Sequence, residues 1–448
     1  MLRCSVNESE PTRQPLLKPP LQGRLNTFQK TMLDWNDLYP YNAVHVVKMA
    51  AAVDLARLRQ VIRDTLAFHG LTSLTLNRQR GSFQFGGGSA PSDIKVIEAG
   101  ADPSETLRVE IESQINTGFE TAGVFQPFRF FIIREHHSFC LGLVYFHAVA
   151  DAVSVVQLLR HIHSALLGDA RQPGMKCFCL ARPRRGFQPL ALARQLVRFL
   201  ARLRQQRRCA RVYHHDVNDG GNRFEQLTLG PEKLRALSAA AKNWGVTIND
   251  IFLALLLRCC SAYTLNRFEH PSRRRIALGC IVNTRTDLNL SDPDGWGLFL
   301  GSFVVSHEAP EGCALPELAR AIRVQTQDIK RQKAYAGPPV ELALGRFLLS
   351  FFSTKYRAKL YQKHYPLWGG ITNMNLNSLW PPPEGGPPVD YFRSVSTGPV
   401  MPLVLSVTTV REVVNVGLTF RASTFTVAHT RHVKNLFLQS LEQVRLSS

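Results

Sequence analysis

The run Cys140 to Phe146, CLGLVYF, constrains this chain more than any other stretch. Seven consecutive apolar or glycine residues with β-branched and aromatic members read as a strand buried on both faces. The run stops at His147, and from Val155 the apolar residues change period, falling at Val155, Leu158, Leu159, Ile162 and Leu166, the spacing of one helix face. A strand therefore ends and a helix begins across His147-Ala-Val-Ala-Asp151. Such a junction sets an imidazole where a buried strand opens toward a cavity, and a group that titrates near neutrality is suited to moving a proton. From this stretch in isolation a structural histidine, with Asp151 as a helix N-cap, is the commoner reading.

With 448 residues the chain exceeds what one core usually fills, so two domains of ordinary size are expected. A composition 45% hydrophobic and 20% charged is that of a globular protein. The formal charge of +20 would suit nucleic acid or an anionic surface, but ten arginines are concentrated between Arg182 and Arg211. Leucines and valine at 192, 196, 197, 200 and 203 among those arginines make 190–208 a basic amphipathic helix. Its commonest use is to pack the apolar stripe on the body with arginines in water, and only Phe199 interleaves with the basic residues, which argues against nucleic acid. Nine cysteines lie without a paired framework, and neither Cys177-Phe-Cys179 nor Cys259-Cys260 has a second half at metal-ligand spacing, so no metal site is expected and the thiols suit a reducing cytoplasm. Residues 1–23 read as a flexible leader with no apolar signal core, and no run approaches the ~18 apolar residues of a membrane span.

In chain order, a helix is predicted from Leu25 to Leu38, a strand from Ala43 to Met49, and a helix after Asp54. A hairpin follows around Asn77–Gly81, then a strand at Ile94–Ile97, a helix from Ser104 to Thr117, and a strand from Phe128 to Arg134 that pairs with Cys140–Phe146 across the polar turn holding His136 and His137. The second half begins with a strand from Arg223 and a helix from Pro231, and Thr247 or Asn249 caps the apolar helix Ile251 to Tyr263. Strands are predicted at Arg275–Val282 and Phe299–Val305, helices at Leu315–Ala334 and Phe347–Lys363, a glycine turn leading into a strand at Gly369–Asn375, a proline-rich loop at Trp380–Pro388, strands at Val404–Val410 and Val413–Phe420, and a closing helix to Arg445. Two mixed α/β halves result.

His147-x-x-x-Asp151 at the end of a buried strand resembles the HxxxD core of the chloramphenicol-acetyltransferase-like superfamily, which includes condensation domains, plant acyltransferases, wax-ester synthases and polyketide-associated acyltransferases. Other segments fall in that family's order: Val246–Leu256, the strand end Ile281–Arg285, Leu300–Phe303 and Ile371–Asn373. The resemblance implies two mixed-sheet subdomains forming a pseudo-dimer around a central tunnel, here 24–180 and 212–448 joined by an arginine-rich crossover at 181–211. It implies an acyltransferase in which His147 is the general base, Asp151 supports the site structurally by pairing with Arg285, and Phe146, Ala152 and Asn373 line the tunnel. No permanently bound cofactor is implied; acyl-CoA or a phosphopantetheine thioester would be the co-substrate, with a small hydroxyl or amine acceptor.

The family's fuller motif is HHxxxDG, and Phe146 and Ala152 stand where it has His and Gly. Loss of the first His leaves the base untouched, whereas a methyl group at 152 would narrow the tunnel or shift the helix start. Asp294-Gly-Trp-Gly297 is similar to a plant-acyltransferase signature but lies too early in the chain, and reads as a surface turn. The partners implied are a small-molecule acceptor, a thioester donor and, for some members, an acyl-carrier protein, with the protein monomeric and its setting secondary metabolism. The alternatives are a catalytically silent binding protein on the same fold, or a peripheral membrane protein using helix 190–208.

Overall fold

The computed structural model describes residues 21–86, 93–168, 204–290, 295–336, 338–380 and 389–446, with 176–177, 197 and 201 besides. Two large sheets organise them. The first has five strands in the order Val389–Val395, Asn42–Met49, Phe139–Phe146, Phe128–Arg134 and Ile94–Glu98, antiparallel except for the last pair. All eight residues of its central strand, Phe139–Phe146, are buried, because both faces are covered. Leu141 and Leu143 share one buried core with Leu58 and Ile62 of helix Leu55–His69 and Val155 and Leu159 of helix Ala152–Leu167. Val144 belongs to a separate buried cluster with Leu107, Ile111 and Ile115 of helix Pro103–Asn116 on the other side. Gly142 makes room for a neighbour: a Cβ there would lie 2.1 Å from the Phe131 ring.

The second sheet has six strands, Asn222–Leu229, Val413–Arg421, Leu403–Val410, Leu367–Asn375, Ile276–Asn283 and Leu300–His307, with Leu367–Asn375 parallel to both neighbours. Helix Ile248–Ser261 is its core element, entirely buried from Ile251 to Leu257. Thr247 caps it through a reciprocal capping box with Asp250, Thr247 Oγ1 accepting from the Asp250 amide and Asp250 Oδ2 accepting from the Thr247 amide.

The halves are sewn together. Strand Val389–Val395 comes from the second half yet pairs with Asn42–Met49 over its whole length, so the segment 212–448 is not self-contained. Asn222 Oδ1 accepts from the amide and hydroxyl of Thr397, and Glu112 accepts from the Phe224 amide.

Several expectations need correction. Residues 22 and 23 pair with 83 and 84, so the body starts before Arg24; residues 1–20 lie outside the described residues. Gly369 and Gly370 sit within strand Leu367–Asn375 instead of forming a turn. They are needed there for close approach, since a Cβ at Gly370 would lie 2.5 Å from Met401 Sδ and one at Gly369 3.2 Å from the Leu403 carbonyl. The single helix expected over Phe347–Lys363 is two, Pro338–Ser350 and Thr354–His364, the second capped by Ser353. The basic helix and crossover lie outside the described residues up to 203, apart from 197 and 201; residues 204–207 are helical.

Candidate active site

At the end of strand Phe139–Phe146 the chain makes one 3-10 turn, His147–Val149, before Asp151 starts helix Ala152–Leu167. Asp151 Oδ1 accepts from the Ser154 amide at 2.9 Å, an N-cap that fixes the helix start. The turn brings the Ala150 carbonyl back to His147 Nδ1 at 3.2 Å. A carbonyl can only accept, so Nδ1 carries the proton and Nε2 is left with its lone pair. The ring stacks on Tyr41 at 5.5 Å and meets Tyr145 edge-on at 5.6 Å. Burial pushes the imidazole down to about 4, the Ala150 bond opposing this and the Arg393 charge adding to it, so the ring is neutral at neutral pH.

Asp151 and Arg285 are brought together from opposite halves. Arg285 Nη1 and Nη2 donate to Oδ2 and Oδ1, both at 3.0 Å, in a bidentate pair of which Asp151 is 1% and Arg285 6% exposed. The rest of the pair is also satisfied. Phe299 N–H donates to Oδ2, Arg285 Nη2 donates to Ser154 Oγ and the Gly295 carbonyl, and the guanidinium lies over the Phe299 ring. Burial works to raise the Asp151 carboxyl, against the Arg285 charge and the amides, and the same burial lowers Arg285. With both oxygens occupied by donors, Asp151 holds the junction and does not face the cavity.

Gly295–Gly297 belongs to this support, which corrects its reading as a surface turn. Trp296 is fully buried, edge-on to Phe85 and Phe128, and Gly295–Trp296 pairs with Lys176–Cys177. The Gly297 carbonyl accepts from the Asp151 amide at 2.9 Å, and Gly297 N–H donates to Ser154 Oγ. The indole needs a core site, and the backbone on either side is used to hold the His147–Asp151 turn.

A cavity of about 860 Å³ opens between the two sheets, lined by Tyr145, His45 and Arg393 from the first, by His147 in the turn that follows its central strand, and by Gly370, Ile371 and Thr372 from the second. A second, of about 1210 Å³, is lined by Gln22–Phe28 and Leu298–Gly301, and Phe28 and Leu300 line both. Of the three residues assigned to the tunnel, Ala152 lines the first cavity and its methyl leaves the helix start intact. Phe146 instead is wholly buried against Phe119 and Phe125, and Asn373 is exposed, its side chain directed to Asn249; neither lines the cavity.

Arg393 escapes a reading of the sequence. Only 5% exposed, it donates to Thr408 Oγ1 at 2.8 Å and to the Val407 carbonyl at 2.6 Å, and among the described residues no carboxylate pairs with it. Beside it His45 Nδ1 and the Tyr391 hydroxyl share a hydrogen bond of 2.6 Å, and burial with the Arg393 charge keeps His45 neutral. Both Tyr391 and Arg393 arrive on the strand Val389–Val395, whose place in the first sheet no periodicity announced. His136 and His137, in contrast, are exposed in their turn.

No protein-family model and no curated protein matches the chain. Among solved structures it is similar to the condensation domain of the monacolin K polyketide synthase MokA, at 14% identity and a TM-score of 0.66, covering 95% of this chain and 97% of that one. It is also similar to the starter condensation domain of rhizomide synthetase, solved with C8-CoA and Leu-SNAC, at 13% identity and 0.65, covering 95% and 94%. The first condensation domain of the CDA synthetase gives 15% identity and 0.62, covering 95% and 96%.

Proposed function

We propose that this chain, which has the chloramphenicol-acetyltransferase-like fold of condensation domains, transfers an acyl group from a phosphopantetheine-type thioester, of coenzyme A or of a carrier protein, to a hydroxyl or amine acceptor. The observation that carries the proposal is the His147 imidazole: neutral, its Nδ1–H spent on the Ala150 carbonyl, it lines a cavity built by both halves. A base of this kind needs one free lone pair and a fixed ring. The Ala150 bond and the Tyr41 stack supply the second, leaving Nε2 for the reaction.

In the first step Nε2 takes the proton of the acceptor O–H or N–H as that atom attacks the thioester carbonyl carbon. The tetrahedral intermediate then collapses with cleavage of the C–S bond, and the imidazolium returns its proton to the leaving thiolate. The products are an ester or amide and a free thiol, and no acyl-enzyme forms. Asp151 takes no proton; its pairing with Arg285 across the halves keeps the turn aimed. Loss of the base is expected to slow transfer by roughly 10²- to 10⁴-fold.

The test is incubation of the full chain with a panel of acyl-CoAs and acylated carrier proteins against alcohols and amines, with products detected by mass, alongside His147→Ala. Transfer by wild type that the variant loses supports the proposal. Transfer by the variant within a few-fold of wild type would reject His147 as base, and no product from any pair would reject the activity in favour of a silent binding protein.

A further inference from the structure

Sixteen large apolar side chains are exposed among the described residues, and six of them fall within 344–356: Leu344, Phe347, Leu348, Phe351, Phe352 and Tyr356. Phe351 is 73% and Phe347 61% exposed. They cluster at the corner where helix Pro338–Ser350 gives way to Thr354–His364, with Phe347 and Phe351 edge-on to each other and Phe352 tilted against Tyr356. Scattered exposed leucines are ordinary, but a contiguous aromatic corner marks an interaction surface.

The chemistry of that surface is set by its charges. From residue 342 to 380 the sequence contains no Asp or Glu. Lys355, Lys359 and Lys363 recur every fourth position, which puts them along one side of helix Thr354–His364, and all three are exposed. Arg346 is paired with Asp34, whereas none of these lysines has an acidic partner among the described residues. Aromatic rings beside an uncompensated lysine row match the boundary of an anionic bilayer, where rings enter the interfacial layer and ammonium groups meet phosphates. No described helix is long and apolar enough to cross a membrane, so the match is to its surface.

The inner side of helix Pro338–Ser350 faces the cavity. Leu342, Gly345 and Leu349, at helical spacing, line the space that also holds His147. We propose that the corner docks on an anionic phospholipid surface, with Phe347, Phe351 and Phe352 in the interfacial layer and Lys355, Lys359 and Lys363 on headgroup phosphates. An apolar acyl donor or acceptor then passes from the lipid to the cavity beside it. The docking stands on the surface alone, while the passage of substrate rests on the acyltransferase reading.

Co-sedimentation of the full chain with phosphatidylcholine vesicles, with and without phosphatidylserine, tests the docking independently of turnover. Binding is expected only with the anionic lipid and to weaken with salt. Replacing the three lysines (Lys355→Gln, Lys359→Gln, Lys363→Gln) should lower it by about a hundredfold. Phe347→Ser, Phe351→Ser and Phe352→Ser together should lower it by at least about a hundredfold. A Phe351→Trp variant should gain blue-shifted emission on binding that brominated lipid quenches, a readout that does not depend on a disruptive change. Binding kept by both triple variants but lost on replacing Arg198, Arg202 and Arg204 would move the contact to the basic helix and overturn the proposal. So would unshifted emission from the Phe351→Trp variant, or no vesicle binding together with self-association through the aromatic corner. Vesicle binding without any acyl transfer would leave the docking standing and reject the activity; transfer without vesicle binding would do the reverse.

Discussion

Asp151→Asn isolates what the interdomain pair contributes. The amide keeps one oxygen, so the N-cap bond to Ser154, worth about 1 kcal/mol, survives. Its NH₂ then occupies the place of Oδ2, where the Phe299 N–H and Arg285 Nη1 both point inward, so donor faces donor and the buried guanidinium loses its counter-charge. Removing one partner of a buried ion pair costs about 3–5 kcal/mol, and at 1% and 6% exposure solvent relieves little of it. Arg285→Met should cost a similar amount, because it strands the carboxylate. The double variant removes both charges and should fall well short of the sum, with a coupling of about 2–3 kcal/mol. Equilibrium urea unfolding of the four proteins gives the cycle. Turnover of Asp151→Asn should drop by up to about 10²-fold through displacement of the His147 turn, with the pH profile unmoved. Losses that add within about 0.5 kcal/mol would refute the reasoning, since they would mean that the two groups do not depend on each other.

Two pH effects follow from the same burial. On the proposed role of His147 as base, which requires the neutral imidazole, and with burial holding the ring at about 4, kcat/KM for a hydroxyl acceptor should stay level from neutrality into mild acid and decline only below about pH 5; a midpoint near the ordinary histidine value would contradict this. Stability should behave differently. His147, His161 and His214 are held at about 4, and His45 well below its ordinary value, chiefly by burial, so below about pH 6.5 the unfolded chain binds protons that the folded chain refuses. The contribution is fully present above that pH and is lost as pH falls toward 4, which urea midpoints measured down to about pH 5 will register as a steady decline; constant midpoints would count against it.

The strand-to-helix junction was legible because a change of period is a local signal, and residues 140–166 carry it without interruption. The second half was legible where capping chemistry and apolar runs coincide, as at Thr247 and Ile251–Leu257. The Asp151–Arg285 pair is not a periodic signal at all; residues 134 positions apart were joined only by resemblance. Glycine misled twice. At Gly369 and Gly370 it serves close backbone packing within a strand, and beside Trp296 it flanks a core indole, but in a sequence both look like turn punctuation. Phe347–Lys363 misled in the opposite sense, since apolar spacing there continues across a break and Phe347, Phe351, Phe352 and Tyr356 face outward. Arg393 was hidden because its strand's partner, Asn42–Met49, lies some 350 residues away.

That distant pairing also fixes an order of assembly. During synthesis at roughly 5–20 residues per second, the outer edge of Asn42–Met49 waits for about 250 residues after Phe146 has emerged before the strand that covers it exists. For that interval the nascent chain carries an open β-edge rich in valine, the kind of template that pairs with a neighbouring copy. The sheet begun first on the ribosome is thus closed nearly last, and whatever guards that edge in the meantime has to act on the chain while it is still being made.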